Sequence, residues 1–308
     1  ILPGASRAES PQQDAANSGL EARAPQSVRR VQHHWAHVAA CMAENELTPP
    51  LLGVAWDGTG YGGDGTVWGG EFFEVSQNGL TRFAHLRQFR LPGGEAAVKE
   101  PRRSALGLLY EIFGQQLWEN RKLLGSFDKG ELALLRQMLE KKVNAPLTSS
   151  AGRLFDAVAA LVGLRSYASF EGQAAMELEF TLHSGIEATY SFKLRERRPV
   201  VIDWEPAILE IMEDLRADET RGTISAKFHN TLAEMIVAVA RKLDLPSVAL
   251  SGGCFQNRSL TERTIERLSA EGFRPYWHQR IPPNDGGISL GQIFAAMMHE
   301  RPQAAEIP

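Results

Sequence analysis

The chain has 308 residues, of which 43% are apolar and 23% charged, enough for a substantial core and about two domains of ordinary size. Lys and Arg total 33 against 37 Asp and Glu, a formal charge of −4, so no global positive field holds nucleic acid or an anionic membrane; a tRNA-sized ligand would need a local basic patch. Its 2 cysteines form no CxxC pair, which excludes a disulfide framework and a thiolate zinc site, and no run of about 18 apolar residues or signal-type N-terminus is present, which points to a soluble, cytoplasmic protein without a membrane partner.

Residues 1–28 are rich in Ala, Ser, Pro and Gln and read as a linker or flexible arm; the start at Ile1 is that expected of a fragment of something longer. The periodicity of WAHVAACMAENEL predicts a helix from Trp35 that ends before Pro49 and Pro50. LLGVAW reads as a buried strand, DGTGYGGDG as a glycine-dense turn, and TVWGGEFFEV and LTRFAHLRQF as two more strands of a meander. Helices are predicted for SALGLLYEIFG, ELALLRQMLEKK, SAGRLFDAVAALVG and GQAAMELEFTLHS, followed by short strands in ATYSFKL and RPVVIDW and a helix from Glu205 to Leu215. A long helix begins near Thr223, with Ile224, Phe228, Leu232, Met235, Ile236, Val239 and Leu243 on one face. The strand SVALS, the turn SGGCFQN, a helix from Arg258 to Ala270, the strand FRPYW and a last helix opened by PPNDGG complete an α/β pattern. Two α/β halves with glycine turns at strand ends place a ligand in the cleft between them.

Within QHHWAH, His33 and His37 stand four apart and share a helix face, a half-site for Zn, Fe, Ni or Cu or else a pair of polar surface histidines. The segment is not a zincin HExxH, because it lacks that motif's glutamate. The glycines of DGTGYGGDG allow backbone N–H groups to approach an anion, or form a bare hairpin turn, and Asp57 either ligates a metal or caps that turn. Gly252 and Gly253 in SGGCFQN offer the positive end of a helix to a phosphate or ribose, or make only a tight turn; Asp285 is a ligand or a helix cap. Arg153 and Asp156 stand three apart on an apolar helix, as an ordinary ion pair would. Lys99, Arg102 and Arg103 form an anion-binding corner or a solvated loop. The remaining histidines take no role, and His229 reads as a core histidine.

Taken in order, QHHWAH, WDGTGYGGDGTVWGGEF, LPGGEAAVKEPRR, SSAGRLFDAVAALVG, FEGQAAMELE, KFHNTLA, LSGGCFQNR and PPNDGGISLGQ resemble the C-terminal carbamoyltransferase region of the HypF family, which matures nickel–iron hydrogenases. TsaD-type tRNA threonylcarbamoyl transferases and O-carbamoyltransferases share the module. The resemblance implies a TsaD-like domain over residues 29–308 made of two actin-like ATPase (ASKHA) lobes, near 29–150 and 151–308 with the chain crossing between them, and a nucleotide and metal site in the cleft. It further implies that His33, His37, Asp57 and Asp285 hold an iron or zinc ion, the first three being catalytic. Gly58, Thr59, Gly60, Gly62, Gly252, Gly253 and Arg103 would hold phosphate, and Asp156 and Asn257 would meet ribose or adenine. The implied donor is ATP-derived carbamoyl adenylate, which leaves AMP; the acceptor is the C-terminal cysteine thiol of HypE, whose thiocarboxamide becomes the cyanide ligands of the hydrogenase. The other HypF domains would act in cis or in trans. The alternatives are O- or N6-carbamoyl transfer to a small alcohol or tRNA, and a non-catalytic nucleotide-binding scaffold that docks HypE.

Overall fold

Leu51–Tyr61, apolar but for Gly53 as far as Trp56 and continued by Asp57, Thr59 and two further glycines, forms the strand around which the other elements are arranged (β1). A computed structural model describes residues 30–77, 79–120 and 124–300, so the arm expected over residues 1–28 lies outside the described residues. The strands after β1 are β2 (Val67–Ser76), β3 (Gly79–Leu86), β4 (Phe89–Arg90), β5 (Leu147–Thr148), β6 (Lys193–Arg195), β7 (Val200–Asp203), β8 (Ser247–Ser251) and β9 (Arg274–Tyr276). The α-helices are α1 (His33–Glu44), α2 (Ala96–Lys99), α3 (Pro101–Phe113), α4 (Lys129–Lys141), α5 (Ala151–Leu161), α6 (Gln173–Thr181), α7 (Glu205–Arg216), α8 (Arg221–Leu243), α9 (Arg258–Ala270) and α10 (Ile288–Glu300).

Among the described residues these strands form one sheet, with main order β6-β7-β3-β2-β1-β8-β9. The meander β1–β2–β3 is antiparallel, whereas β8 runs parallel to β1 and β9 parallel to β8. The latter two strands arrive through helices, as parallel crossovers require. Sheet neighbours come from both sides of residue 150: β8 lies against β1, and β7 against β3.

Alternation along β1 divides the core between the two faces of the sheet. Leu52, Val54 and Trp56 join the larger cluster with Phe72, Phe155 and the α8 stripe, while Leu51 and Ala55 join a smaller one with Trp35, Val38 and Met42 of α1 and Ala295 of α10. Each large side chain so buried contributes about 1.5–3 kcal/mol, which is what clamps α1 to the sheet. Glycine permits the closest approaches: a Cβ at Gly53 would lie 2.5 Å from Val38 Cγ1, and one at Gly291 would lie 1.8 Å from the Ala36 carbonyl. Side-chain caps start the helices that matter most here. Gln32 accepts from the Trp35 N–H, Ser150 from Arg153, Thr220 from Thr223 and Asn257 from Leu260.

Two local expectations change. The glycine-dense segment after Trp56 stays in β1 as far as Tyr61, because β2 continues to pair with it across an irregularity between Trp56 and Gly60. ATYSFKL contributes strand only from Lys193, into Lys193–Arg195. Among the described residues no helix is long and apolar enough to cross a membrane.

Candidate active site

The first turns of α1 carry His33 and His37, and β1 aims Asp57 at them from the sheet. The turn before α10 brings Asp285 to the same point. His33 Nε2 lies 3.0 Å and His37 Nε2 3.2 Å from Asp57 Oδ2, and the two nitrogens are 3.2 Å apart. Asp285 Oδ1 is 3.5 Å from His33 Nε2 and 3.4 Å from His37 Nε2. Four ligand atoms thus fall within 4.8 Å of one another.

Tetrahedral coordination with bonds of about 2.1 Å requires ligand–ligand separations of about 3.4 Å, close to those found. Direct hydrogen bonding satisfies the cluster less well. If both Nε2 atoms carried hydrogens toward Asp57, two N–H groups would crowd each other; a cation accepts both lone pairs at once. Two imidazoles with two carboxylates suit zinc or ferrous iron. The donor set therefore fits the expected ion.

Electrostatics agree with a carboxylate poised as a ligand. Burial alone would raise the Asp57 carboxyl, but hydrogen bonds from His33 and His37 and the Gly58 N–H outweigh it and hold Asp57 well below the usual range. The bond to Asp57 raises His33 against its own burial. The other Asp57 oxygen, Oδ1, accepts the Gly253 N–H at 3.1 Å, which ties β1 to the turn after β8. His34, buried behind the pair, is pushed down to about 3 by burial and stays neutral.

Asp57 and Asp285 border a cleft of about 940 Å³, a size that accommodates a nucleotide. Gly58, Thr59, Asp156, Gly253 and Asn257 also line it. The structure does not bring every expected residue there. Gly60 and Gly62 back onto side chains instead: a Cβ at Gly60 would lie 2.4 Å from His34 Cε1 and 2.7 Å from His33 Cδ2, and one at Gly62 would lie 2.2 Å from Trp68 Nε1. These glycines make room for the histidines and for Trp68. Gly252, at φ +102°, is needed for a turn so close that a Cβ would meet the Trp56 carbonyl at 2.2 Å. Arg103 is engaged elsewhere, with Glu100 at 2.9 Å and Glu131 at 3.2 Å. Asn257 borders the cleft with its side chain committed, Oδ1 accepting the Leu260 N–H and Nδ2 donating to His229 Nε2 at 2.9 Å. His229 is the core histidine expected, its Nδ1–H donating to the Ser225 carbonyl at 2.8 Å.

Helix α5, packed against β1 at Gly58, brings a buried ion pair to the cleft, Arg153 Nη2 3.1 Å from Asp156 Oδ2. Burial raises Asp156 to about 6, opposed by Arg153 and reinforced by Glu171. Arg153 Nε and NH1 have no hydrogen-bond partner. Ser150, not singled out from the sequence, fastens α5 to the site by donating to the Asp57 carbonyl at 2.9 Å and the Gly58 carbonyl at 2.7 Å; a serine before an apolar helical run is its only signal. Glu171 was also missed; its Oε1 would lie 3.0 Å from a Cβ at Gly58. Burial keeps both cysteines as thiols, Cys41 pushed up to about 12 and Cys254, on the cleft wall, well above its ordinary value.

A mixed α/β sheet places a His₂Asp₂ cluster able to hold a metal ion beside a cleft of nucleotide size, which defines the class by fold and site geometry. Comparisons with known proteins narrow it. The family described as "Carbamoyltransferase, Kae1-like Domain, second subdomain" matches residues 53–292, and the chain belongs to that family, as the C-terminal carbamoyltransferase region of HypF proteins. It is 42% identical over 283 residues to the carbamoyltransferase HypF of Synechocystis sp., covering 86% of this chain and 36% of the relative. It is 37% identical over 296 residues to a carbamoyltransferase HypF homolog of Cupriavidus necator, covering 90% of this chain and 72% of the relative. A crystal structure of full-length HypF in a phosphate- and nucleotide-bound form superposes with TM-score 0.82 at 42% identity, over 89% of this chain and 36% of that one. The chain thus spans about a third of the length of the full-length HypF proteins it matches.

Proposed function

We propose that this chain is the transfer unit of a HypF-type carbamoyltransferase and moves a carbamoyl group from carbamoyl adenylate to the C-terminal cysteine thiol of HypE. The observation that carries this reading is the convergence of His33, His37, Asp57 and Asp285 at the edge of a nucleotide-sized cleft, in a chain of the HypF family. In the reaction the acceptor sulfur bonds to the carbamoyl carbon, the carbon–oxygen bond to phosphate breaks, AMP leaves with the electron pair, and the thiol proton passes to solvent. An iron or zinc ion held by the four side chains would supply Lewis-acid polarisation of the carbamoyl or phosphate oxygen and offset charge in the transition state.

The chain's own residues do the remainder. Asp57 holds the two histidines and the Gly253 N–H in one register, and Ser150 locks the Asp57–Gly58 backbone against α5, so the reacting end of the cleft is preorganised. Arg153 and Asp156 offer an anion and hydroxyl subsite for the nucleotide. Cys41 and Cys254 remain protonated, so the nucleophile comes from the partner. The sheet supports an actin-like reading, since an antiparallel meander followed by two parallel crossover strands is the arrangement of one such lobe. Lobes that share the chain across residue 150 account for β1 lying beside β8 better than a simple division there. The part of HypF relatives that this chain does not match would supply carbamoyl adenylate.

Single-turnover assay of carbamoyl adenylate against a HypE tail peptide, tRNA and sugar alcohols tests the reading. Thiocarboxamide formation on the peptide alone is expected. Transfer only to tRNA or an alcohol would move the chain to another branch of the module, and HypE binding without any transfer would make it a scaffold.

A further inference from the structure

Glu44 lies at the last turn of α1, where the negative end of the helix dipole disfavours a carboxylate, and its side chain is nevertheless buried. Donors compensate. Oε1 accepts the backbone N–H of Gln279 at 3.0 Å, of Arg280 at 2.6 Å and of Ile281 at 3.4 Å, and Oε2 accepts from His278 Nδ1 at 2.7 Å. Nε2 of that imidazole in turn accepts from the Ser251 hydroxyl at 2.8 Å. A Ser–His–Glu chain of this kind has the connectivity of a hydrolase triad, but Ser251 is fully buried and has no access to substrate.

What the chain joins is more telling. α1 carries His33 and His37; Ser251 begins the turn whose Gly253 N–H holds Asp57; and the strap gathered by Glu44 continues through Pro282 and Pro283 to Asp285. The Gly252 N–H donates to the Pro283 carbonyl at 2.9 Å, closing the strap against that turn. Among the four ligands Asp285 is the exposed one, its side chain 74% accessible, so its position depends on the strap behind it. We infer that Glu44, through the strap 278–281, is the positioning residue that brings Asp285 into register with His33, His37 and Asp57. The inference rests on the metal reading above.

Outer partners of metal ligands typically contribute 10–100-fold to metal affinity. The test is Co²⁺ titration of the metal-stripped full chain, followed by visible absorption, in a double-mutant cycle of Glu44→Gln and Asp285→Asn. Glu44→Gln is expected to weaken Co²⁺ binding at least tenfold in the parent and to change it little in the Asp285→Asn background. General loosening of the fold would weaken both backgrounds equally, and that result, or an unchanged affinity in the parent, overturns the inference. If Glu44→Gln does not fold, Glu44→Asp reads the same cycle with a smaller loss confined to the parent background. A parent chain that binds no Co²⁺ overturns the metal reading and the inference with it; binding that ignores Glu44 overturns the inference alone.

Discussion

The two walls of the cleft keep charge buried in opposite ways. On the α1–β1 wall, His33, His37 and Asp57 face one another, and Asp57 is held ionised by its partners. On the α5 wall, Arg153 and Asp156 are more deeply buried than His33 and Asp57, yet Arg153 keeps two nitrogens without partners and Asp156 is raised to about 6. On the proposed function, the first wall is a ligand set for a cation, and the second, which retains hydrogen-bonding capacity, is a subsite that the nucleotide would complete. The difference teaches that burial alone does not mark function: the informative quantity is what each buried group is still able to bind.

The largest expected effect breaks the first wall. A His33→Ala, His37→Ala double variant loses the metal, and transfer from carbamoyl adenylate falls about a thousandfold, several kcal/mol of charge stabilisation at 1.36 kcal/mol per decade. The second wall responds in stability as well as in nucleotide binding. Arg153→Met leaves Asp156 buried without its counter-charge and is expected to cost about 3–5 kcal/mol in urea unfolding.

His229, behind the second wall, gives the contrast a pH axis. Burial lowers it to about 4, so the unfolded chain takes up a proton near 6.5 that the folded chain refuses. Its contribution, about 3 kcal/mol, is present above pH 6.5 and is lost as pH falls toward 4. His229→Gln should remove about one proton from the slope of unfolding free energy against pH in that window.

Smaller effects sharpen the map of the glycine segment. Gly60→Ala pushes on His33 and His34, with about 1–3 kcal/mol lost and weaker metal binding, while Gly63→Ala meets nothing within 4 Å and is expected to leave both unchanged. Smallest is Cys254→Ser, which leaves transfer within about twofold if the thiol takes no part in the chemistry.

The sequence made these walls unequally legible. His33 and His37 were readable because a helical spacing of four puts both rings on one face, and the meander because alternation and glycine turns are local. Asp57 and Asp285 were readable as turn residues, but only folding brings them together from opposite ends of the chain. The glycines misled for a physical reason: Gly60 and Gly62 have the composition of an anion cradle, and their smallness serves His34 and Trp68 instead. Asn257 lines the cleft, where its side chain also caps α9 and bonds His229. Glu44 and His278 left no signal, since a bond between residues 234 apart has no sequence period.

The central claim is that His33, His37, Asp57 and Asp285 hold one cation together. X-ray absorption at the zinc edge of the stoichiometrically loaded chain tests it most directly. The account predicts four nitrogen and oxygen neighbours at about 2.0–2.1 Å with the outer-shell scattering of two imidazoles, lost in the His33→Ala, His37→Ala variant. A first shell without imidazole scattering, or one unchanged in that variant, would contradict it.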